Sequence, residues 1–125
     1  MDIIEQKQEF LDKMRKCFQV LREQDKILAR GNAGDCSTCA SYNLWSEIEG
    51  KEDEWIGIVH WNEQSEERFM ENYNELYIGY STQKEDENSL KQLTDKLIQK
   101  LKENEIKTEW YGDFNSKILV IFEGE

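Results

Sequence analysis

The chain has no proline, a single histidine and only three cysteines in 125 residues. Without proline there is no proline-rich linker and no rigid punctuation to mark a domain boundary. One domain over residues 1–125, built on one core, is therefore expected, because a chain of this length divides poorly into two self-sufficient cores. Long hydrophobic runs are missing as well. The longest, Ile118-Leu119-Val120-Ile121-Phe122, has the length of a strand and falls far short of the roughly 20 residues of a membrane helix. The opening Met1-Asp2-Ile3-Ile4-Glu5-Gln6-Lys7 shows no basic stretch followed by an apolar one, so neither a secretory leader nor a membrane span is expected. An odd cysteine count in such a chain points to reduced thiols in a cytoplasm, not to a disulfide framework.

Positive charge is scarce too. The 27 acidic residues outnumber 16 basic ones, a net charge of -11 that repels phosphate backbones and anionic lipid surfaces, so direct nucleic-acid or membrane binding is not expected. Apolar residues make up only 38%, yet four Trp, five Tyr and five Phe bring enough area per residue to build a core and to exclude disorder throughout.

Apolar periodicity sets the architecture. Ile3, Lys7 by its stem, Phe10, Met14, Cys17 and Leu21, with Leu11 and Phe18 beside them, line one stripe of a long helix near residues 3–23. Leu90, Leu93, Leu97 and Leu101 do the same near 89–103, where Ser89 and Gln92 have capping-box spacing. A short helix is expected from near Cys39 with Gly50 as its C-terminal cap, and another over 65–73. Ile27-Leu28-Ala29 is a short strand or the docking end of the first helix. Residues 55–61 read as a central strand, 76–80 as a second, and 106–110 with 118–122 as a hairpin. The fold class is α+β: a single, mainly antiparallel sheet of four to five strands packed against helices. Leu97 and Trp110 are expected in its core.

The residues that carry chemistry are Cys36-Ser37-Thr38-Cys39 and His60, the latter in the apolar run Ile56-Gly57-Ile58-Val59-His60-Trp61. Two thiolates three residues apart can face one ion, with His60 as third ligand and Cys17 or Asp35 as fourth, which makes zinc the candidate metal. Each residue also has a plainer role: Cys17 as a small hydrophobe inside its stripe, His60 as a buried imidazole on a sheet face. The same C-x-x-C at a helix N-terminus suits dithiol exchange, one thiolate being stabilised by the helix dipole. A Cys36/His60 nucleophilic pair lacks an orienting partner. The acidic runs Glu52, Asp53, Glu54 and Glu85, Asp86, Glu87 read as solubilising surface or as a face for a basic partner protein.

Taken together, the cysteine loop, Gly57-Ile58-Val59-His60, Leu76-Tyr77-Ile78-Gly79-Tyr80 and Glu109-Trp110-Tyr111-Gly112 resemble a family of small bacterial proteins, domain of unknown function 6891, over roughly residues 10 to 121. The resemblance implies a C-x-x-C loop, an apolar strand ending in His, an L-Y-x-x-Y strand and a W-x-G hairpin. Ala40 stands where the family usually has Gly, and Asp35 where it has a further cysteine, departures that weaken a four-ligand metal site on the loop. The family implies no activity. The leading functional reading is a non-enzymatic, acidic, cytosolic binding or regulatory protein acting through protein contacts, of the inhibitor, immunity or anti-defence type. Two alternatives stay open: a zinc- or thiol-dependent enzyme using Cys36, Cys39 and His60, and a small-ligand binder whose pocket is walled by Trp55, Trp61, Tyr77 and Tyr80.

Overall fold

Residues 2–124 are described in a computed structural model. In chain order they form α1 (Ile3–Gln24), β1 (Ile27–Arg30), α2 (Ser37–Glu47), a 3-10 turn (Glu52–Glu54), β2 (Gly57–His60), α3 (Glu63–Glu71), β3 (Glu75–Ser81), α4 (Glu87–Glu103), β4 (Lys107–Glu109) and β5 (Ile118–Ile121). The fold is α+β with one five-stranded sheet in the order β1-β2-β3-β5-β4. It is mostly antiparallel. The exception is β1 with β2, which run parallel because the long segment carrying α2 returns the chain to the same edge.

The sheet divides the expected single core into two. On one face, Met14, Cys17, Phe18 and Leu21 of α1 and Leu93, Leu97 and Leu101 of α4 bury themselves against Ala29, Val59, Trp61, Leu76, Ile78, Ile118 and Val120. On the other, Leu44 of α2 and Ile48 just after it cover Leu28 and Ile58. Coverage on this second face ends near β3. Tyr77 is 39% exposed and Leu119 and Ile121 are only half-buried. The alternation of β3 explains the contrast, since Leu76 and Ile78 point to the helices and Tyr77 and Gly79 point away.

Several boundaries differ from the sequence reading, each for a local reason. The α4 helix starts at Glu87, capped by Asp86 Oδ1 accepting the Ser89 N–H at 2.7 Å, so Ser89 lies inside the first turn and forms no capping box with Gln92. The α2 helix begins at Ser37, two residues earlier than its apolar spacing indicates, because Cys36 takes the cap position; its C-terminal cap is Ile48, ahead of Gly50. The third helix spans Glu63–Glu71 with Asn62 as cap and leaves Tyr73 beyond it, exposed. Trp110 is half-buried at the sheet edge, where its indole N–H reaches the Asp113 and Ser116 carbonyls, whereas Leu97 is fully buried. Ile3 is exposed. Lys7 does more than lend its stem: its buried ammonium donates to the Phe69 and Tyr73 carbonyls at 2.5 and 2.9 Å, closing the C-terminal end of α3.

Candidate functional site

The parallel strands β1 and β2 end side by side, and the segments leaving those ends build the site. The loop after β1 is fastened to the exit of β2 by the Ala33 N–H to the Trp61 carbonyl at 3.0 Å and the Glu63 N–H to the Gly34 carbonyl at 2.8 Å. This holds the first turn of α2 against the sheet. Cys36 is its N-cap, with extended backbone and a sulfur that receives the Cys39 N–H at 3.5 Å. The Cys39 sulfur lies 3.3 Å from it, and the two are free thiols.

Their electrostatics diverge. The Cys39 amide first, then the Cys39 thiol, lower the pKa of Cys36; burial opposes them, ahead of a lesser lowering by the Thr38 amide and a lesser rise from Asp35. Cys39 gives up the shared proton last, so its pKa is raised. Cys36 is half-buried and Cys39 exposed.

A row of side chains crosses the sheet next to the pair. His60 of β2 is opposite Gly79 of β3, and the Ile78–Ile118 pairing brings Lys117 beside Gly79 from the far side. Gly79 is required here, because a Cβ at that position would stand 2.5 Å from the His60 ring. His60 is 4% exposed and its Nδ1 has no hydrogen-bond partner. Burial foremost, and the Lys117 charge second, bring its pKa down to about 4, so the imidazole is neutral at physiological pH. The Lys117 ammonium donates to Ser37 Oγ, which also accepts from Asn62 Nδ2 at 3.2 Å. Burial lowers the pKa of Lys117, and the nearby Cys36 sulfur opposes that shift.

Three cavities border Lys117, and two of them reach the start of α2. One of about 570 Å³ contains Cys36, Ser37, Thr38, Arg68, Tyr73, Glu75 and Tyr77 on its wall. The other, about 550 Å³, adjoins it through Ser37, Thr38 and Lys117 and has His60, Gly79, Trp45 and Tyr80 around it. Cys39 borders neither.

The fold brings together Cys36 and Cys39, and places His60 beside the start of α2 across the Lys117 row. Cys17 is elsewhere: it belongs to the core on the opposite face of the sheet, where burial raises its pKa to about 11. Asp35 turns toward Glu63, whose carboxyl it pushes up in pKa by hydrogen bond and then by charge. Among the described residues, no group of three or more His, Cys, Asp or Glu side chains is placed to hold a metal ion. The four aromatic residues expected around a pocket are dispersed, since Trp61 is fully buried under α1 while Tyr77 and Tyr80 point to opposite faces. Glu52, Asp53 and Glu54 form the 3-10 turn, and Glu85 and Glu87 flank the capping Asp86. Sequence reasoning passed over Lys117, Ser37, Asn62 and Arg68. The one signal for any of them was Lys117, a cation at the head of the most apolar strand.

The family model described as Domain of unknown function (DUF6891) matches residues 5–123, and the chain belongs to that family. No curated protein and no solved structure matches it. Among the described residues no helix is long and apolar enough to cross a membrane.

Proposed function

We propose that the protein is a dithiol–disulfide exchange protein in which Cys36 attacks and Cys39 resolves. One observation carries this reading: Cys36 caps an 11-residue helix while the Cys39 N–H and thiol, 3.5 and 3.3 Å away, both address its sulfur. The cap geometry and helix dipole favour thiolate at that position, Lys117 adds a positive charge, and the higher-pKa Cys39 keeps its proton until the second step. Neutral His60 serves as packing beside the pair. In a cytoplasmic setting the resting form is the dithiol. The test is alkylation against pH. Cys36 should react with iodoacetamide with an apparent pKa below that of an unstructured thiol, Cys17 should stay inert until the protein unfolds, and oxidation should yield one disulfide that both Cys36→Ser and Cys39→Ser abolish. An ordinary Cys36 pKa, or zinc retained on the pair in chelator-free protein, would overturn it.

A second reading, acting through contact with a basic protein surface, has its own support. Ile58 near the start of β2 pairs with Ser81 at the end of β3, so the Glu52–Glu54 turn before the one strand and Glu85, Asp86 and Glu87 after the other leave the same end of the sheet. Binding of such a partner should weaken steeply as salt rises to physiological strength, and charge reversal at Glu52, Asp53 and Glu54 should slow association. A salt-independent affinity would remove it.

A further inference from the structure

We infer that the attacking cysteine is served by an anion-recognising cavity, and that its substrate is a small disulfide carrying carboxylates; the inference rests on the dithiol reading. In a chain with net charge -11, cations near a thiolate are unexpected, yet Arg68 and Lys117 both line the cavity that Cys36 borders. Neither is neutralised. Among the described residues Arg68 has no ion pair, and Lys117 meets only the Ser37 hydroxyl. Glu75 is the one carboxylate on that wall. A neighbouring cavity shares Ser37, Thr38 and Lys117 with it and has the neutral His60, 4% exposed, on its wall. Two cations without a carboxylate partner, beside the N-terminus of α2 on the cavity that Cys36 borders, match an anion.

Access decides the size of the substrate. Cys36 is half-buried and opens onto a space of about 570 Å³, within the range of small-molecule sites, whereas the more exposed Cys39 borders neither cavity. A disulfide in a folded protein meets Cys39 first. One that enters the cavity meets Cys36.

The chemistry balances without a further reagent for one turnover. Cys36 thiolate attacks one sulfur of the bound disulfide, forming a mixed disulfide and releasing half of the substrate as a thiolate. Cys39 then attacks Cys36 Sγ, the Cys36–Cys39 disulfide forms, and the second half departs. The two protons of the dithiol pass to the two released thiolates; the protein is oxidised by two electrons and the substrate reduced by two.

The experiment compares three disulfides of similar size against the full-length protein at low salt: anionic dithiodiglycolate, neutral bis(2-hydroxyethyl) disulfide and cationic cystamine. Rates of Cys36 mixed-disulfide formation are read by mass spectrometry in the Cys39→Ser background. Net charge alone ranks them cationic, neutral, anionic. The inference expects the anionic probe to outpace the neutral one by about tenfold, of the order that local electrostatic focusing provides. Using the ratio of the two rates cancels any change in thiolate fraction. Arg68→Gln and Lys117→Gln should each bring that ratio toward one, while Lys91→Gln on α4 should leave it in place. Arg68 is exposed, so its variant remains informative should Lys117→Gln fold poorly. Reaction with all three probes in the order of net charge, or a ratio unmoved by both variants, overturns the inference and leaves the dithiol reading standing. A Cys36 inert to all three overturns both.

Discussion

The two faces of the sheet use the same residue types to opposite ends, and their cysteines show it most directly. Cys17 lies among Met14, Leu21 and the α4 leucines on the helix-covered face, where burial raises its pKa to about 11 and makes it a small hydrophobe. Cys36, on the partly covered face, borders a cavity and takes hydrogen bonds that lower its pKa. Complete coverage leaves Cys17 only a packing role. Where α2 stops short of β3 and β5, polar groups that packing would exclude become tolerable, and the thiols, Lys117 and His60 gather along that boundary.

The largest effect should come from breaking the dry face. Leu97 is fully buried in the α1–α4 core, so Leu97→Ala should cost about 2 to 5 kcal/mol through lost burial and the cavity left behind. Tyr77→Ala on the open face, where the residue is 39% exposed, should cost less, about 1 kcal/mol. Urea unfolding of the two variants checks the contrast, and equal losses would mean the faces do not differ in packing.

Next in size is a pH effect confined to the partly covered face. His60 has its pKa lowered from 6.5 to about 4, so between those values the unfolded chain binds the proton that the folded one refuses. Its contribution is fully present above about pH 6.5 and is lost as pH falls toward 4, about 3 kcal/mol in all at 1.36 kcal/mol per unit. About 2 kcal/mol of that should be gone by pH 5. His60→Phe should flatten the stability curve between pH 7 and 5, before most carboxylates titrate. Parallel curves for the two proteins would show that His60 is not desolvated.

How much of this was legible in the sequence depends on range. The α1 and α4 stripes and the apolar strands are local patterns, and Leu93, Leu97, Met14 and Leu21 were readable from spacing alone. The closeness of Cys36 to Cys39 is likewise written into three residues of separation. The row from His60 across Gly79 to Lys117 was not, because it depends on the register of three strands that turn chemistry and packing set together. Cap positions were lost for a different reason. Asp86 sits inside an acidic run that reads as solvated loop, and Cys36 is a cap residue of unusual type.

A smaller effect tests the row itself. A methyl at residue 79 would stand 2.5 Å from the His60 ring, with β3 hydrogen-bonded on both sides, so Gly79→Ala should cost about 1 to 3 kcal/mol by overpacking. If the ring is the obstacle, His60→Ala should recover much of that loss in the double variant, and the coupling energy measures the contact. Additive losses would place the strain in the backbone of β3.

The smallest effect compares the caps of the two helices. Asp86 Oδ1 caps α4 at 2.7 Å, and its replacement by Ala should cost about 1 kcal/mol. Sulfur caps α2 at 3.5 Å, a long and weak bond for that position, where Ser is among the preferred residues. Cys36→Ser keeps the acceptor and shortens its reach, so α2 should lose nothing and stability should stay level or rise by a few tenths of a kcal/mol up to about 1. A thiol that serves structure behaves otherwise: a zinc ligand lost from a folded site, or a packed hydrophobe replaced by a hydroxyl, lowers stability outright. Thermal unfolding of Cys36→Ser in the presence and absence of chelator separates these cases. An unchanged or raised midpoint together with loss of disulfide formation means that the helix carries a poorer cap than serine for the sake of its chemistry, and a lowered midpoint returns Cys36 to the scaffold.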